Sequence, residues 1–106
     1  ATVLGLGVAY KPNIADDRES ASLDVLRILA GRGARIEVFD PIVGAERIEE
    51  RGLAAANGTG SYDIAIVLTD HDVFDLMAIA SKSTVVFDTR GAYRKRGLEA
   101  DNVVVM

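Results

Sequence analysis

Two short segments of the sequence combine a cation with residues that shape the backbone around it. Tyr10-Lys11-Pro12-Asn13 joins an aromatic ring, an ammonium group and a proline, and Asp88-Thr89-Arg90-Gly91 places a guanidinium before a glycine, where backbone can approach closely. A ring can stack on a base, and both cations can bind phosphate or sugar oxygens. Stacking on a base and binding to phosphate are two of the contacts that a phosphorylated, base-containing ligand needs. Taken alone, Tyr10 and Lys11 favour the simpler interpretation, a surface lysine beside a half-buried tyrosine.

A third cation lies among acids. Asp16-Asp17-Arg18-Glu19-Ser20 immediately precedes a predicted helix that starts at Ala21, with Ser20 as its predicted N-cap. Acids near a helix N-terminus are favoured by the helix dipole and need no functional explanation. Arg18 opposes that dipole locally, which indicates an anionic partner, either the neighbouring carboxylates or a phosphate.

The glycines near the start of the chain resemble part of a dinucleotide-binding fingerprint. Gly5 and Gly7 lie within the first apolar run, and Asp40 stands where a ribose-binding acid would follow the second strand. Tyr10 replaces the third glycine, and a long polar loop separates the pair from the helix that would meet a pyrophosphate. We therefore expect the glycines to permit close strand–helix packing. A stand-alone Rossmann-like NAD(P)-binding sensor is the alternative.

Other reactive residue types are scarce in the sequence. The chain has one histidine and no cysteine, which excludes disulfides, thiolate chemistry and cysteine-based metal sites. Thr69-Asp70-His71-Asp72 could suggest a metal or acid–base site, but consecutive residues of an extended segment point in different directions. This segment is interpreted as an N-cap for the next helix, and Arg94-Lys95-Arg96 as a solvated turn. We expect no metal site in this chain.

Apolar runs alternate with amphipathic stretches along the whole chain, which is typical of βαβ units around a parallel sheet. We predict an α/β fold, a Rossmann-like three-layer sandwich with a mostly parallel sheet of about five strands. The predicted strands are 3–9, 35–39, 64–68, 84–87 and 103–105, and the predicted helices begin at 21, 45 and 73. Because crossovers bring the carboxyl ends of parallel strands to one edge, Lys11 and Arg90 should converge there.

Composition sets the class of protein. The chain has 106 residues, 49% hydrophobic and 26% charged, which fits one domain over residues 1–106. No apolar run approaches the roughly 18 residues of a membrane span, so we expect a cytoplasmic protein without a membrane partner. The net charge of −4 argues against a nucleic-acid partner. A chain that opens on one predicted strand and ends in another is expected to come from a longer polypeptide.

Taken together, five segments resemble the C-terminal UDP-binding domain of the UDP-glucose/GDP-mannose dehydrogenase family. They are Gly7–Asn13, Asp16–Ser20, Phe39–Pro41, Leu68–His71 and Asp88–Arg90. The resemblance covers nearly the whole chain, and the segments fall in the family's order. It implies an NAD-dependent enzyme of polysaccharide biosynthesis that oxidises a sugar C6 alcohol to a carboxylate with two NAD. Such enzymes have an N-terminal NAD-binding domain and a central helical dimerisation region, and the intact enzyme would be a homodimer.

The resemblance also implies roles for individual residues. Tyr10 and Lys11 would line the UDP-sugar pocket, and Arg90 would hold the UDP portion. Arg18 would reach across the interdomain cleft toward NAD, which is bound mainly by another domain. The family's catalytic cysteine lies in a preceding domain, which agrees with the absence of cysteine here. The chain would therefore be a binding module that is not catalytic alone.

Two departures from the family pattern bear on the substrate and the fold. Ala21 stands where many relatives have proline, and alanine also suits the first helical turn. Thr69-Asp70-His71 and Asp88-Thr89-Arg90 are more similar to the N-acetylhexosamine branch than to UDP-glucose enzymes.

A receiver-type signalling domain of this size would need an acid pair at the end of the first strand, where Lys11 stands instead.

Overall fold

The computed structural model describes residues 1–8 and 21–105, with the backbone alone for 21–23. Six strands and four helices lie in these ranges. The strands are β1 (Thr2–Leu6), β2 (Arg35–Phe39), β3 (Ala54–Ala55), β4 (Tyr62–Val67), β5 (Ser83–Asp88) and β6 (Val103–Val105). The helices are α1 (Ala21–Gly31), α2 (Ala45–Glu50), α3 (Leu76–Ser81) and α4 (Ala92–Lys95).

All six strands form one parallel sheet in the order β3-β2-β1-β4-β5-β6. The chain builds outward from β1 to β3, then returns to the other side of β1 and builds outward again from β4. The order therefore reverses between β1 and β4, where parallel α/β sheets open a crevice at their carboxyl ends. The expected α/β, Rossmann-like architecture is confirmed, with a sheet that is entirely parallel.

Each face of the sheet carries its own hydrophobic core, which makes three layers. One core lies between α3 and α4 and the side chains that β1, β4 and β5 present on one face of the sheet. Leu6, Val67 and Tyr93 are among its members. The other lies beneath α1 and α2 and contains Leu26 and Ile48. Both Leu26 and Ile48 are essentially inaccessible to water, and burial of such a side chain contributes about 1.5–3 kcal/mol.

Most predicted elements are present with shifted ends. Helix α3 begins at Leu76 rather than at 73, because the side chain of Asp75 accepts a hydrogen bond from the Ala78 amide (3.2 Å) and caps the helix there. Strand β3 has only two residues, too short for a periodic pattern, and it raises the number of strands from about five to six. No helix in the described ranges is long and apolar enough to span a membrane.

Helix α4 was not predicted either, and it is fixed by a buried tyrosine. The hydroxyl of Tyr93 donates to the carbonyl of Leu76 (2.6 Å), which joins α4 to the start of α3. Burial, followed by the negative charge of Asp88, raises the pKa of Tyr93 to about 12. The hydroxyl therefore remains a hydrogen-bond donor throughout the physiological pH range.

Candidate functional site

The carboxyl ends of the four central strands lie in one row. Register pairs Leu6 of β1 with Phe39 of β2 and Val67 of β4, and pairs Val67 with Asp88 of β5. The residues that follow these positions form what we call the strand-end row: Gly7, Val8, Asp40, Leu68, Thr69, Asp70, His71, Thr89 and Arg90. This row is the candidate site, because ligands of open α/β sheets bind outside these ends.

Asp40 joins three of the strand ends from a fully buried position. Its Oδ2 accepts from the amide of Val8 (2.8 Å), and its Oδ1 accepts from the amides of Ile42 (3.0 Å) and Val43 (2.9 Å). The Nε2 of His71, also fully buried, lies 2.9 Å from the same Oδ2. Both carboxylate oxygens are therefore engaged in holding β1, β2 and β4 together.

These contacts correct the interpretation of the Thr69–Asp72 segment. The N-cap of α3 is Asp75, so the predicted capping function of Thr69–Asp72 is wrong. His71 is instead a core residue whose ring packs against Phe74, with centroids 5.5 Å apart. Among the described residues, no group of three or more potential ligands could hold a metal ion.

The two early glycines allow close packing. A Cβ on Gly5 would lie 2.8 Å from the Cδ2 of Leu26 in α1, so this glycine admits the helix onto the sheet. A Cβ on Gly7 would lie 2.6 Å from the Thr69 carbonyl oxygen, and the φ of Gly7 is +87°. Glycine tolerates that conformation with little strain. The contact of Gly5 agrees with the expected strand–helix packing, whereas Gly7 instead packs against Thr69, in the segment that follows β4.

Arg90 is the exposed cation of the strand-end row. Its Nε donates to the carbonyl of Leu68 (2.9 Å), so the side chain extends from the end of β5 across the end of β4. The backbone amides of Arg90 and Tyr93 donate to the two oxygens of the buried Asp88 side chain (both 3.1 Å). Among described residues, no hydrogen bond or ion pair involves the two terminal nitrogens of the Arg90 guanidinium.

Gly91 has a different function from the expected close backbone approach. A Cβ there would meet nothing within 4 Å, but its φ is +67° and it caps α4 in a left-handed conformation. Glycine is favoured at such positions because other residues are strained there. Gly91 thus turns the chain directly after Arg90 and separates β5 from α4.

Arg96 was expected to lie in a solvated turn, and this expectation is wrong. Its Nη1 donates to the carbonyl of Phe74 (2.7 Å), and its Nη2 donates to the carbonyl of His71 (2.5 Å) and to Oδ1 of Asp70 (3.0 Å). All three acceptors belong to the segment that links β4 to α3. Sequence reasoning missed this residue because its partners are 22 or more positions away.

Of the four predicted binding residues, Arg90 is described and the others are not. Tyr10, Lys11 and Arg18 lie outside the described residues. A groove of about 480 Å³ beside α4 and β6, lined by Tyr93, Leu98 and Val103 among others, includes none of the strand-end row. The candidate site is therefore defined by strand ends and by the chemistry of Arg90.

The sheet is parallel, its strand order reverses between β1 and β4, and a cation lies at the strand ends. These features define a Rossmann-like ligand-binding domain. Comparison with known proteins specifies the family. Residues 4–95 match the model described as the UDP-glucose/GDP-mannose dehydrogenase family, UDP binding domain. The chain belongs to this family, as its sequence motifs predicted.

Individual relatives match most of this chain but little of their own length. A UDP-N-acetyl-D-mannosamine dehydrogenase of Methanococcus maripaludis is 35% identical over 92 residues, which is 79% of this chain and 21% of the relative. A UDP-glucose 6-dehydrogenase of Haloferax volcanii is 32% identical and covers 93% of this chain and 25% of the relative. The chain thus spans about a fifth to a quarter of these proteins.

Solved structures show the same fold. A UDP-glucose dehydrogenase from Pyrobaculum islandicum superposes with a TM-score of 0.69 at 27% identity, over 92% of this chain and 24% of that one. A UDP-N-acetyl-mannosamine dehydrogenase from Staphylococcus aureus gives a TM-score of 0.69 at 19% identity, over 98% of this chain and 25% of that one. The second likeness bears on the fold alone.

Proposed function

We propose that this domain holds the UDP portion of a UDP-sugar within an NAD-dependent UDP-sugar 6-dehydrogenase. That enzyme would oxidise the C6 alcohol of the sugar to a carboxylate with two NAD, and other domains would perform the chemistry. The observation that carries the proposal is Arg90, whose guanidinium is anchored through Nε at the strand ends. Family membership supplies the ligand class.

The geometry of Arg90 suits a diphosphate. Nε bonding to Leu68 fixes one side of the planar guanidinium, and its two terminal nitrogens can donate in parallel to phosphate oxygens. A fixed guanidinium loses less side-chain entropy on binding than a free one, which strengthens each new hydrogen bond. The ligand would therefore meet a cation already oriented by the fold.

The two buried acids Asp40 and Asp88, at the carboxyl ends of β2 and β5, do not oppose an anionic ligand strongly. The carboxylates of Asp40 and Asp88 each accept at least two backbone N–H groups, and both side chains are shielded from water and ligand. Backbone donors offset the negative charge of a carboxylate. The positive charge of Arg90 can then dominate the surface of the row.

The remaining binding residues are carried over from the family motifs. Tyr10 and Lys11 would line the UDP-sugar pocket beside Arg90, and both follow closely after Val8, which belongs to the strand-end row. Arg18 would meet the phosphates of NAD held by an NAD-binding domain. A central helical region would complete a homodimer.

The sugar is proposed to be an N-acetylhexosamine. The Thr69-Asp70-His71 and Asp88-Thr89-Arg90 segments favour that branch. UDP-N-acetyl-D-mannosamine dehydrogenases and UDP-N-acetyl-D-glucosamine 6-dehydrogenases are among the relatives, at 35% and 34% identity. UDP-glucose 6-dehydrogenases also match, at 32% for one of them, so the comparison includes both branches.

The alternative of a stand-alone NAD(P) sensor would depend on Gly5, Gly7 and Asp40. The described contacts occupy all three in other ways, since the glycines admit Leu26 and Thr69 and both oxygens of Asp40 bond to protein groups. A ribose would have to displace these bonds. The geometry therefore supports the UDP proposal over this alternative.

Titration calorimetry of the 106-residue chain with UDP tests the proposal. Arg90→Ala should weaken UDP binding at least about tenfold, because charge-assisted hydrogen bonds contribute roughly 1.5–3 kcal/mol. Arg90→Lys keeps the charge but not the bidentate geometry, and its affinity should fall between the two. Arg94→Ala, an exposed neighbour on α4, is the matched control and should bind as wild type does. Binding of NAD without binding of UDP would contradict the proposal.

A further inference from the structure

Three acids stand at the carboxyl ends of the central strands, and they are neutralised by different means. Asp40 and Asp88 accept hydrogen bonds from backbone amides. Asp70 instead forms an ion pair with the side chain of Arg96, at 3.0 Å, and the two side chains are 13% and 23% exposed. Its negative charge is therefore offset by one replaceable residue.

Asp70 lies close in sequence to the anchor of Arg90. Leu68, whose carbonyl holds the Nε of Arg90, precedes Asp70 by two residues. Each residue adds at most about 3.6 Å along the chain, so the Asp70 backbone lies within about 7 Å of that anchor. The side chain of Asp70 therefore starts near this anchor, and its carboxylate, if it lost its partner, would be available to attract the terminal nitrogens of Arg90.

Arg96 is well placed to prevent that attraction. Its guanidinium donates to the carbonyls of His71 and Phe74 as well as to Asp70, so the chain itself fixes its position. Arg96 directly follows α4, whereas Arg90 lies before α4, so the short helix separates the two cations along the chain. Each arginine thus contacts a different part of the segment between β4 and α3.

We infer that Arg96 is a positioning residue for ligand binding: it holds Asp70 in an ion pair and so keeps the guanidinium of Arg90 open to the diphosphate. The inference rests on the proposed function. It predicts that an internal carboxylate competes with the ligand for Arg90 once Arg96 is removed. A purely structural function for Arg96 predicts instead that only its contacts to backbone carbonyls matter.

The experiment compares the UDP affinities of three variants by calorimetry, each measured at a temperature below the midpoint of its thermal unfolding. Arg96→Ala should weaken binding by about fivefold, the upper range for a competing, partly exposed ion pair. Adding Asp70→Asn to Arg96→Ala should restore most of the affinity, because the competing charge is gone while the lost carbonyl contacts stay lost. Arg96→Lys, which keeps a cation for Asp70, should bind close to wild type. Arg94→Ala is the control for loss of a nearby positive charge.

The outcomes separate the inference from the proposed function. If wild type does not bind UDP, the proposed function fails. If wild type binds UDP and Arg96→Ala binds equally well, the inference alone is overturned. Equal losses in Arg96→Ala and in the double variant also overturn it, because they assign the effect to backbone contacts. Should Arg96→Ala not fold, a loss in Arg96→Lys as large as that in Arg90→Ala would overturn it.

Discussion

Asp40 has a side chain that could contact a ligand, but in this fold it binds protein groups and stabilises the strand ends. It follows β2, where a ribose-binding acid would stand, yet its oxygens accept from Val8, Ile42 and Val43 and meet His71. A buried carboxylate is stable only when its hydrogen-bonding capacity is filled. The position of Asp40 in the sequence therefore indicated the strand end at which it lies, and its contacts argue against the ribose-binding alternative.

Asp40→Asn should lower the free energy of unfolding by about 2–4 kcal/mol. An amide keeps the shape of the side chain, but its NH₂ group cannot accept from the backbone donors and would leave some of them unpaired. Urea denaturation at neutral pH measures the loss. Glu49→Gln, an exposed carboxylate on α2, should change the stability by less than about 0.5 kcal/mol. Equal stabilities for the two variants would contradict the assignment.

At the scale of elements, the fold depends on close approach between β1 and its neighbours. Leu26 of α1 packs directly on Gly5, and Thr69, which follows β4, packs on Gly7. The first contact is with the end of a flexible side chain, whereas the second involves a backbone carbonyl that cannot move aside easily. The two glycines should therefore differ in their tolerance of a methyl group.

Gly7→Ala should destabilise the domain by about 2–4 kcal/mol, since it combines a positive φ with overlap against Thr69. Gly5→Ala should have a smaller cost, because Leu26 can change rotamer. Gly31→Ala, at the end of α1 with open space around it, should be neutral or stabilise by up to about 1 kcal/mol. Thermal unfolding of the three variants gives the ranking, and a Gly7 variant as stable as wild type would refute it.

At the scale of the molecule, the described residues form one α/β sheet with a candidate site at its carboxyl edge, and the chain spans 21% and 25% of the length of two relatives. The described residues supply an oriented cation and buried, neutralised acids. In the proposed enzyme most of the catalytic contribution of this domain is to position the sugar, since correct placement of reacting groups lowers a barrier substantially.

The 106-residue chain, which has no cysteine, should bind UDP without oxidising a UDP-sugar. Incubation with NAD and UDP-N-acetylglucosamine should produce no NADH, measured by absorbance against a blank without protein. A parallel calorimetric titration with UDP confirms that the sample is competent to bind. NADH formation that scales with the concentration of the chain would contradict the assignment of catalysis to other domains.

By itself the sequence determined the architecture and the family. Alternating apolar and amphipathic stretches are local signals, so they predicted the βαβ order, the parallel sheet and the edge at which Arg90 lies. The motifs from Gly7 to Arg90 predicted the family that the comparison shows. Short elements such as β3 and α4 were missed, because four or fewer residues carry little periodic signal.

Only the tertiary structure decided what the polar residues do. The bonds from Arg90 to Leu68, from Arg96 to Asp70 and from His71 to Asp40 join residues 22 to 31 positions apart. No local pattern encodes such pairs, because they form when crossovers bring strand ends together. The sequence could therefore name the candidate cations, but the packed sheet decided that Arg90 is oriented outward and that Arg96 is bound to the segment between β4 and α3.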